Sequence, residues 1–209
     1  AVNHRAVQYF LDAFDALSIT PHFIQLSTDF IFDGTEREYS EEDEPSPISE
    51  YGKSKYKAEQ ILLGSSYQNY VIIRTSLVYG IGEALVKGNI FSWAMKKLRL
   101  GELLTIVDDQ FRSPTYVEDL AWSCEAIAAQ QFKGIINVAG PEVHSMYEYI
   151  LMVAKYVGVK DDQVKPIKSA ELAQKAKRPA SSGLSIKKAK RALNYHPTSF
   201  LESLTKLDV

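Results

Sequence analysis

HFIQLSTDFIF (residues 22–32) and YVIIRTSLVYG (residues 70–80) are the two stretches on which the fold turns. The first opens short, apolar and partly β-branched and halts at Ser-Thr-Asp, which reads as a buried strand. The second reads the same way and is bounded by Gly80 and Gly82. Between them, Ser49 can cap a helix running to about Ser66. Ahead of them, Val7, Phe10, Leu11, Phe14 and Leu17 recur at three- and four-residue spacing, the pattern of a helix over 3–17 with one buried stripe that ends before Pro21. Helix, strand, helix, strand with helical crossovers predicts an α/β protein: a doubly wound parallel sheet with its sites at the carboxyl ends of the strands.

The alternation continues outward. A helix is expected around 87–100, a short strand at LLTIV, a loop at DDQFRSPT, a helix over about 116–130 and a strand at GIINVAG (134–140). The last seventy residues read as mostly helical, over 144–157, around 170–176, over 185–193 and over 200–207. Six acidic residues between Glu36 and Glu44, followed by Pro45 and Pro47, mark a solvated loop. Nine basic residues against one acid between Lys165 and Arg191 mark a solvated basic surface.

The whole-chain numbers narrow the function classes. With 209 residues and 45% hydrophobic content the chain can bury a sizeable core. A formal charge of −2 provides neither a nucleic-acid field nor an anionic-membrane field, so small-molecule chemistry is the default. The single cysteine, Cys124, excludes an intramolecular disulfide framework and a multi-cysteine zinc site, and fits a reducing compartment. No apolar run reaches the ~18 residues of a membrane helix and the first residues lack a secretion-signal pattern, which leads to the expectation of a soluble cytoplasmic protein. The four histidines, at 4, 22, 144 and 196, are scattered, so no metal centre is expected.

The chemistry centres on Ser27-Thr28-Asp29 and on Tyr51-Gly52-Lys53-Ser54-Lys55. On a helix, Tyr51 and Lys55 lie on one face a turn apart. A phenol with a pKa near ~10 is a poor proton carrier at neutral pH, and a nearby ammonium favours its ionised form. The same ammonium can hydrogen-bond the ribose of a nicotinamide nucleotide, and a strand-end hydroxyl from Ser27 or Thr28 can share a substrate carbonyl with the Tyr hydroxyl. Tyr-x-x-x-Lys by itself is also what a surface Lys beside a half-buried Tyr produces. The weight lies in the ordered set of strand, Ser-Thr, loop, Tyr-x-x-x-Lys helix and second strand.

That set, STDFIFDGTEREYSEEDEPSPISEYGKSKYKAEQ, closely resembles the extended short-chain dehydrogenase/reductases, and among them the dTDP-4-dehydrorhamnose reductase branch. The likeness runs on through IIRTSLVYG, DDQFRSPTYVEDLA, NVAGPEVHSMYEYI and KRPASSGLSIKKAKRAL. It implies a Rossmann-type sheet with a smaller, mostly helical substrate-binding part. Residues 1–80 would be the second half of the nucleotide-binding domain, 81–209 the substrate-binding part, and 116–140 would return to the nucleotide-binding sheet.

The resemblance also implies roles. Tyr51 would protonate the carbonyl oxygen as hydride arrives, Lys55 would lower its pKa and hold the nicotinamide ribose, and Thr28 would hydrogen-bond the substrate oxygen, with Ser27 the second candidate and a cofactor neighbour. Asn3 would complete a catalytic tetrad through a water relay; on its residues alone it is only a helix-start position. Arg74, Thr75, Ser76 and Leu77 would line the cofactor with their backbone. The branch often has an aromatic residue where Leu77 stands. Asp29, Asn89, Gln110, Arg112 and Arg178 would meet the sugar and diphosphate, although Asn89 can equally be a helix cap, Gln110 and Arg112 loop residues, and Arg178 part of the basic surface. The cofactor would be NADP or NAD, the partner a nucleotide-sugar, with a homodimer possible and no role for nucleic acid or membrane.

Other readings compete. A sugar-nucleotide epimerase or dehydratase would need further acid/base groups near Thr28 and Tyr51, where Asp29 is the one candidate. A regulatory protein is a different class: the beta subunit of methionine adenosyltransferase resembles the same branch. Gly80-Ile81-Gly82 is followed by Gly88, too far on for a phosphate-binding fingerprint. Asp108, Asp109, Glu118 and Asp119 read as loop polarity and helix N-terminal charge. A family member would have a Gly-rich strand-turn-helix and two further βα units, about 70 to 90 residues, ahead of the helix that opens this sequence. These 209 residues by themselves are therefore expected to bind NADPH immeasurably weakly.

Overall fold

A computed structural model describes residues 2–81, 88–172 and 176–207. Helix α1 (Val2–Ala16) leads into strand β1 (Phe23–Thr28), a 3-10 turn (Asp29–Ile31) and the two-residue strand β2 (Glu38–Tyr39). Helix α2 (Glu50–Leu63) follows, with the Ser49 hydroxyl accepting from the Gly52 amide at its start. Strand β3 (Tyr70–Thr75) lies parallel to β1 in register Phe23 with Tyr70 through Thr28 with Thr75. Strand β6 (Gly134–Asn137), reached after helix α4 (Val117–Gln130), pairs parallel with the other side of β3, giving the order β1-β3-β6.

The period of two along β3 builds both layers. Ile72 packs with Val7 and Leu11 of α1 and with Ala58 and Leu62 of α2. Val71 and Ile73 pack on the opposite side with Leu120 and Ile127 of α4 and with Leu193 of helix α6 (Lys187–Leu193). α6 therefore packs with the sheet, although it lies in the stretch the sequence assigned to the smaller part.

A second core joins helix α3 (Ile90–Arg99), strand β4 (Leu104–Val107), helix α5 (Met146–Val157), strand β8 (Val164–Ile167) and helix α7 (Phe200–Leu207). Its centre is an edge-to-face cluster in which Phe200 meets Phe91 at 4.7 Å and Tyr149 at 4.6 Å. Strand β8 pairs parallel with β4 and escaped the sequence reading: it is four residues long and includes Pro166, which erases the usual strand signal. Of the helix expected around 170–176, residues 173–175 lie outside those described, and the described start is a 3-10 turn, Ser169–Glu171. Gly82 lies outside them too.

Two short pairings join segments remote in sequence. Strand β5 (Phe111–Arg112) pairs antiparallel with β7 (His144–Ser145), and β2 pairs parallel with β9 (Gly183–Leu184). Neither could be read locally, because two-residue strands carry no periodicity.

Gly52 sets how closely α2 approaches the end of β1. A Cβ at this position would stand 2.1 Å from the Phe30 carbonyl oxygen. Ala in place of Gly inside a helix ordinarily stabilises by about 1 kcal/mol. Here Gly52→Ala is expected to reverse that sign and destabilise by about 1–3 kcal/mol, because backbone must move to admit the methyl. Urea denaturation checks it; a midpoint at or above that of the unaltered protein would show that α2 has slack.

Candidate active site

The carboxyl ends of β1 and β3 open on a cleft of about 690 Å³ between the two cores. Its polar lining includes Ser27, Thr28, Asp29, Tyr51, Gln110, Arg112 and Arg178, and its apolar lining Leu77, Val78, Ile90, Trp93, Val107, Met146 and Leu172.

Thr28 ends β1 and accepts from the Phe30 amide at 3.3 Å, which fixes its side chain at the start of the 3-10 turn. Tyr51, in the first turn of α2, is 52% exposed and packs edge-on against Phe30 at 6.1 Å. Partial burial raises its pKa above the ordinary phenol value; a hydrogen bond from Thr28 opposes the shift and the charge of Asp29 adds to it. The phenol is thus a fully protonated donor at neutral pH. One turn on, Lys55 donates to the Leu26 carbonyl at 2.6 Å. Burial lowers its pKa and the Glu59 carboxylate counters that. The sequence expected Lys55 to depress the phenol; here its ammonium is taken up by the end of β1, and the phenol stays high.

Several other expectations change once burial is seen. The Ser27 hydroxyl donates to Glu59 and is spent there, because alternation along β1 turns it into the layer beneath α2. Arg74 is almost fully buried and pairs with Glu59 at 2.9 Å, so its side chain serves the interior. Asp29, expected to meet the sugar, is buried and accepts from Thr28 at 3.1 Å, Ser76 at 2.9 Å and Ser182. Burial raises its pKa, opposed by Arg112 and those three hydroxyls. It joins β1, β3 and the segment before β9. Asn89 is the N-cap of α3, accepting from the Phe91 and Ser92 amides and donating to the Gly80 carbonyl, so the cap reading accounts for all of its bonds.

The remaining named residues are placed as follows. Asn3 is exposed on α1 and donates to Ser54 at 2.9 Å, whose hydroxyl in turn donates to the Tyr51 carbonyl at 2.8 Å. Gln110 donates to Ser169 at 2.7 Å. Arg112 stacks over Phe30 at 5.3 Å and donates to the Pro179 carbonyl at 2.8 Å, tethering the segment that carries Arg178. Arg178 itself is exposed and makes no hydrogen bond or ion pair with the described residues. Thr75 donates to Thr115 at 2.8 Å. Leu77 has φ +35, a left-handed conformation that costs a non-glycine residue about 1–2 kcal/mol. Thr115 enforces it from both sides, its amide donating to the Ser76 carbonyl at 2.9 Å and its carbonyl accepting from the Tyr79 amide at 2.9 Å. Strain held in this way clusters at functional sites.

Sequence reasoning missed Glu59 and Trp93. Glu59 follows Lys55 by four residues, on the same helical face as Tyr51 and Lys55, and that spacing could have flagged it. Trp93 could have been noticed because it falls off the buried stripe of Phe91, Ala94, Met95 and Leu98.

A parallel sheet covered on both faces, with Tyr-x-x-x-Lys rising beside the end of one strand, defines the class: an extended short-chain dehydrogenase/reductase. Within it, the chain belongs to the RmlD substrate binding domain family, whose model matches residues 1–207. A dTDP-4-dehydrorhamnose reductase from Sinorhizobium fredii (strain NBRC 101917 / NGR234) is 32% identical over 222 residues, covering 99% of this chain and 71% of the relative. Methionine adenosyltransferase 2 subunit beta of Rattus norvegicus is 29% identical over 180 residues, covering 83% of this chain and 53% of that protein. Among solved structures, dTDP-4-dehydrorhamnose reductase from Bacillus anthracis str. Ames in complex with NADP superposes with a TM-score of 0.85 at 26% identity, over 98% of this chain and 70% of that one. Among the described residues, no helix is long and apolar enough to cross a membrane.

Proposed function

We propose that this chain carries the catalytic and sugar-binding residues of an NADP-dependent reductase acting on the 4-keto group of dTDP-4-dehydrorhamnose. The observation that carries the reading is the half-exposed Tyr51 hydroxyl beside Thr28 at the mouth of the cleft, with Lys55 a turn behind. The donor set fits the nicotinamide end of the cofactor: the Lys55 ammonium, which donates to the Leu26 carbonyl beneath the strand end, and Thr75 and Leu77, which line the cleft. Lys55 would hold the nicotinamide ribose. When bound, the reduced nicotinamide supplies the hydride.

The residues of the chain do the rest. Thr28 and Tyr51 hydrogen-bond the carbonyl oxygen and orient it. Tyr51, protonated at neutral pH, gives its hydroxyl proton to that oxygen. The Thr28 hydroxyl turns from Asp29 to donate to that oxygen, so the phenolate left behind is stabilised by the Lys55 ammonium one turn along α2. Asp29 lines the cleft, but its carboxylate accepts from Ser76 and Ser182, which weighs against its serving as the further acid or base that an epimerase or dehydratase would need.

The test is NADPH oxidation by the complete polypeptide with dTDP-4-dehydrorhamnose, with the product identified by NMR. A reduced 6-deoxysugar is the expected product. An inverted or dehydrated sugar, or no turnover together with co-purification of a larger enzyme, would overturn the reading in favour of an epimerase, a dehydratase or a regulatory subunit.

A further inference from the structure

The cleft has three lining aromatics, and two are already engaged. Phe30 carries the Arg112 guanidinium over its ring and the Tyr51 ring against it. Trp93 is different: it lines the cleft, is 43% exposed, and among the described residues no ring or cation stacks on it. Its place follows from the pattern of α3, where Phe91, Ala94, Met95 and Leu98 are buried while Ile90 and Trp93, one turn apart, border the cleft. An indole left open in a concave wall is a surface that a planar apolar group can cover.

The polar lining of the cleft says which group. Tyr51 and Arg178 line the cleft and also share a second hollow beside Phe30, and Arg178 is a cation with no hydrogen-bonding or charged partner among the described residues, while Arg112 is tied to backbone carbonyls. Carbonyl, anion and planar ring are the three parts of a nucleoside diphosphate sugar. We propose that Trp93 is the stacking platform for the pyrimidine base of the substrate, a specificity-determining role that rests on the reductase reading above. Leu77, in the strand-side wall, has no ring to offer, so α3 supplies the aromatic surface.

The chain has two tryptophans, and the other, Trp122, stacks against Tyr195 at 6.1 Å and lines a separate pocket with Glu118, Asp119 and His196. A fluorescence change kept in Trp122→Phe and lost in Trp93→Phe therefore reports on Trp93. The complete polypeptide would be titrated with dTDP and with inorganic pyrophosphate, following emission and, by calorimetry, affinity. dTDP is expected to quench emission, Trp122→Phe to keep the quench, and Trp93→Phe to lose it while retaining most of the affinity. Trp93→Ala is expected to weaken dTDP by about ten-fold or more, as loss of base stacking does, and to leave pyrophosphate affinity unchanged. Equal dTDP affinity in Trp93→Ala, or an equal loss for dTDP and pyrophosphate, would overturn the platform while leaving the reductase reading in place. Failure of the unaltered polypeptide to bind dTDP would overturn that reading itself.

Discussion

Tyr51→Phe in the complete polypeptide is expected to reduce turnover by about 10²–10⁴-fold, the range that a positioned proton donor contributes. The substitution removes one oxygen and keeps the ring that packs edge-on against Phe30, so the first turn of α2 stays in place. The loss should therefore fall on kcat, with cofactor affinity and thermal stability close to those of the unaltered enzyme. NADPH oxidation at saturating substrate, together with cofactor titration, separates the two. Turnover within about three-fold of the original would place the proton donor elsewhere and remove the mechanism. A large rise in the cofactor dissociation constant would instead show that the phenol acts mainly in binding.

The second large effect concerns stability. Glu59 and Arg74 form a buried ion pair at 2.9 Å, with Glu59 fully inaccessible and also accepting from Ser27. Both charges lose their hydration on folding, so the pair is a poor source of net stability, but removal of one partner leaves the other charged and uncompensated. Glu59→Gln is expected to cost about 3–5 kcal/mol, out of the roughly 5–15 kcal/mol available to a folded domain. Replacing both residues, as Glu59→Leu with Arg74→Met, is expected to recover most of that loss. Urea denaturation of Glu59→Leu, Arg74→Met and the double gives the coupling. A single substitution costing less than about 1 kcal/mol would mean that water or a rearranged partner reaches the remaining charge.

The parts of the site that could be read in the sequence are those set by local spacing. Tyr51 and Lys55 stand four apart on a helix, Thr28 ends an apolar strand, and Ser49 caps α2; each depends on a handful of neighbouring residues. What could not be read depends on partners far along the chain. Glu59 looked like an ordinary helix charge, and only the approach of Arg74 and Ser27 buries it. Asp29 read as a group beside the substrate, and it lines the cleft, but its bond to Ser182, remote in sequence, could not be read. Spacing alone left either Ser27 or Thr28 as the strand-end hydroxyl and the resemblance favoured Thr28; the bond from Ser27 to Glu59 could not be read. Trp93 was hidden for a different reason: the stripe of α3 directs attention to the buried face, and the cleft is built on the other one.

The bond between Asp29 and Ser182 spans 153 residues, and β2 must wait nearly as long for β9. At translation rates of about 5–20 residues per second, roughly ten to thirty seconds separate the synthesis of the two ends of this contact. Throughout that interval the Asp29 carboxylate lacks one of the hydroxyls that make its burial tolerable, and the cleft lacks the segment bearing Arg178. On the ribosome the central sheet can pair long before its active site closes, so the nascent chain passes through a stage in which it is structured yet inert.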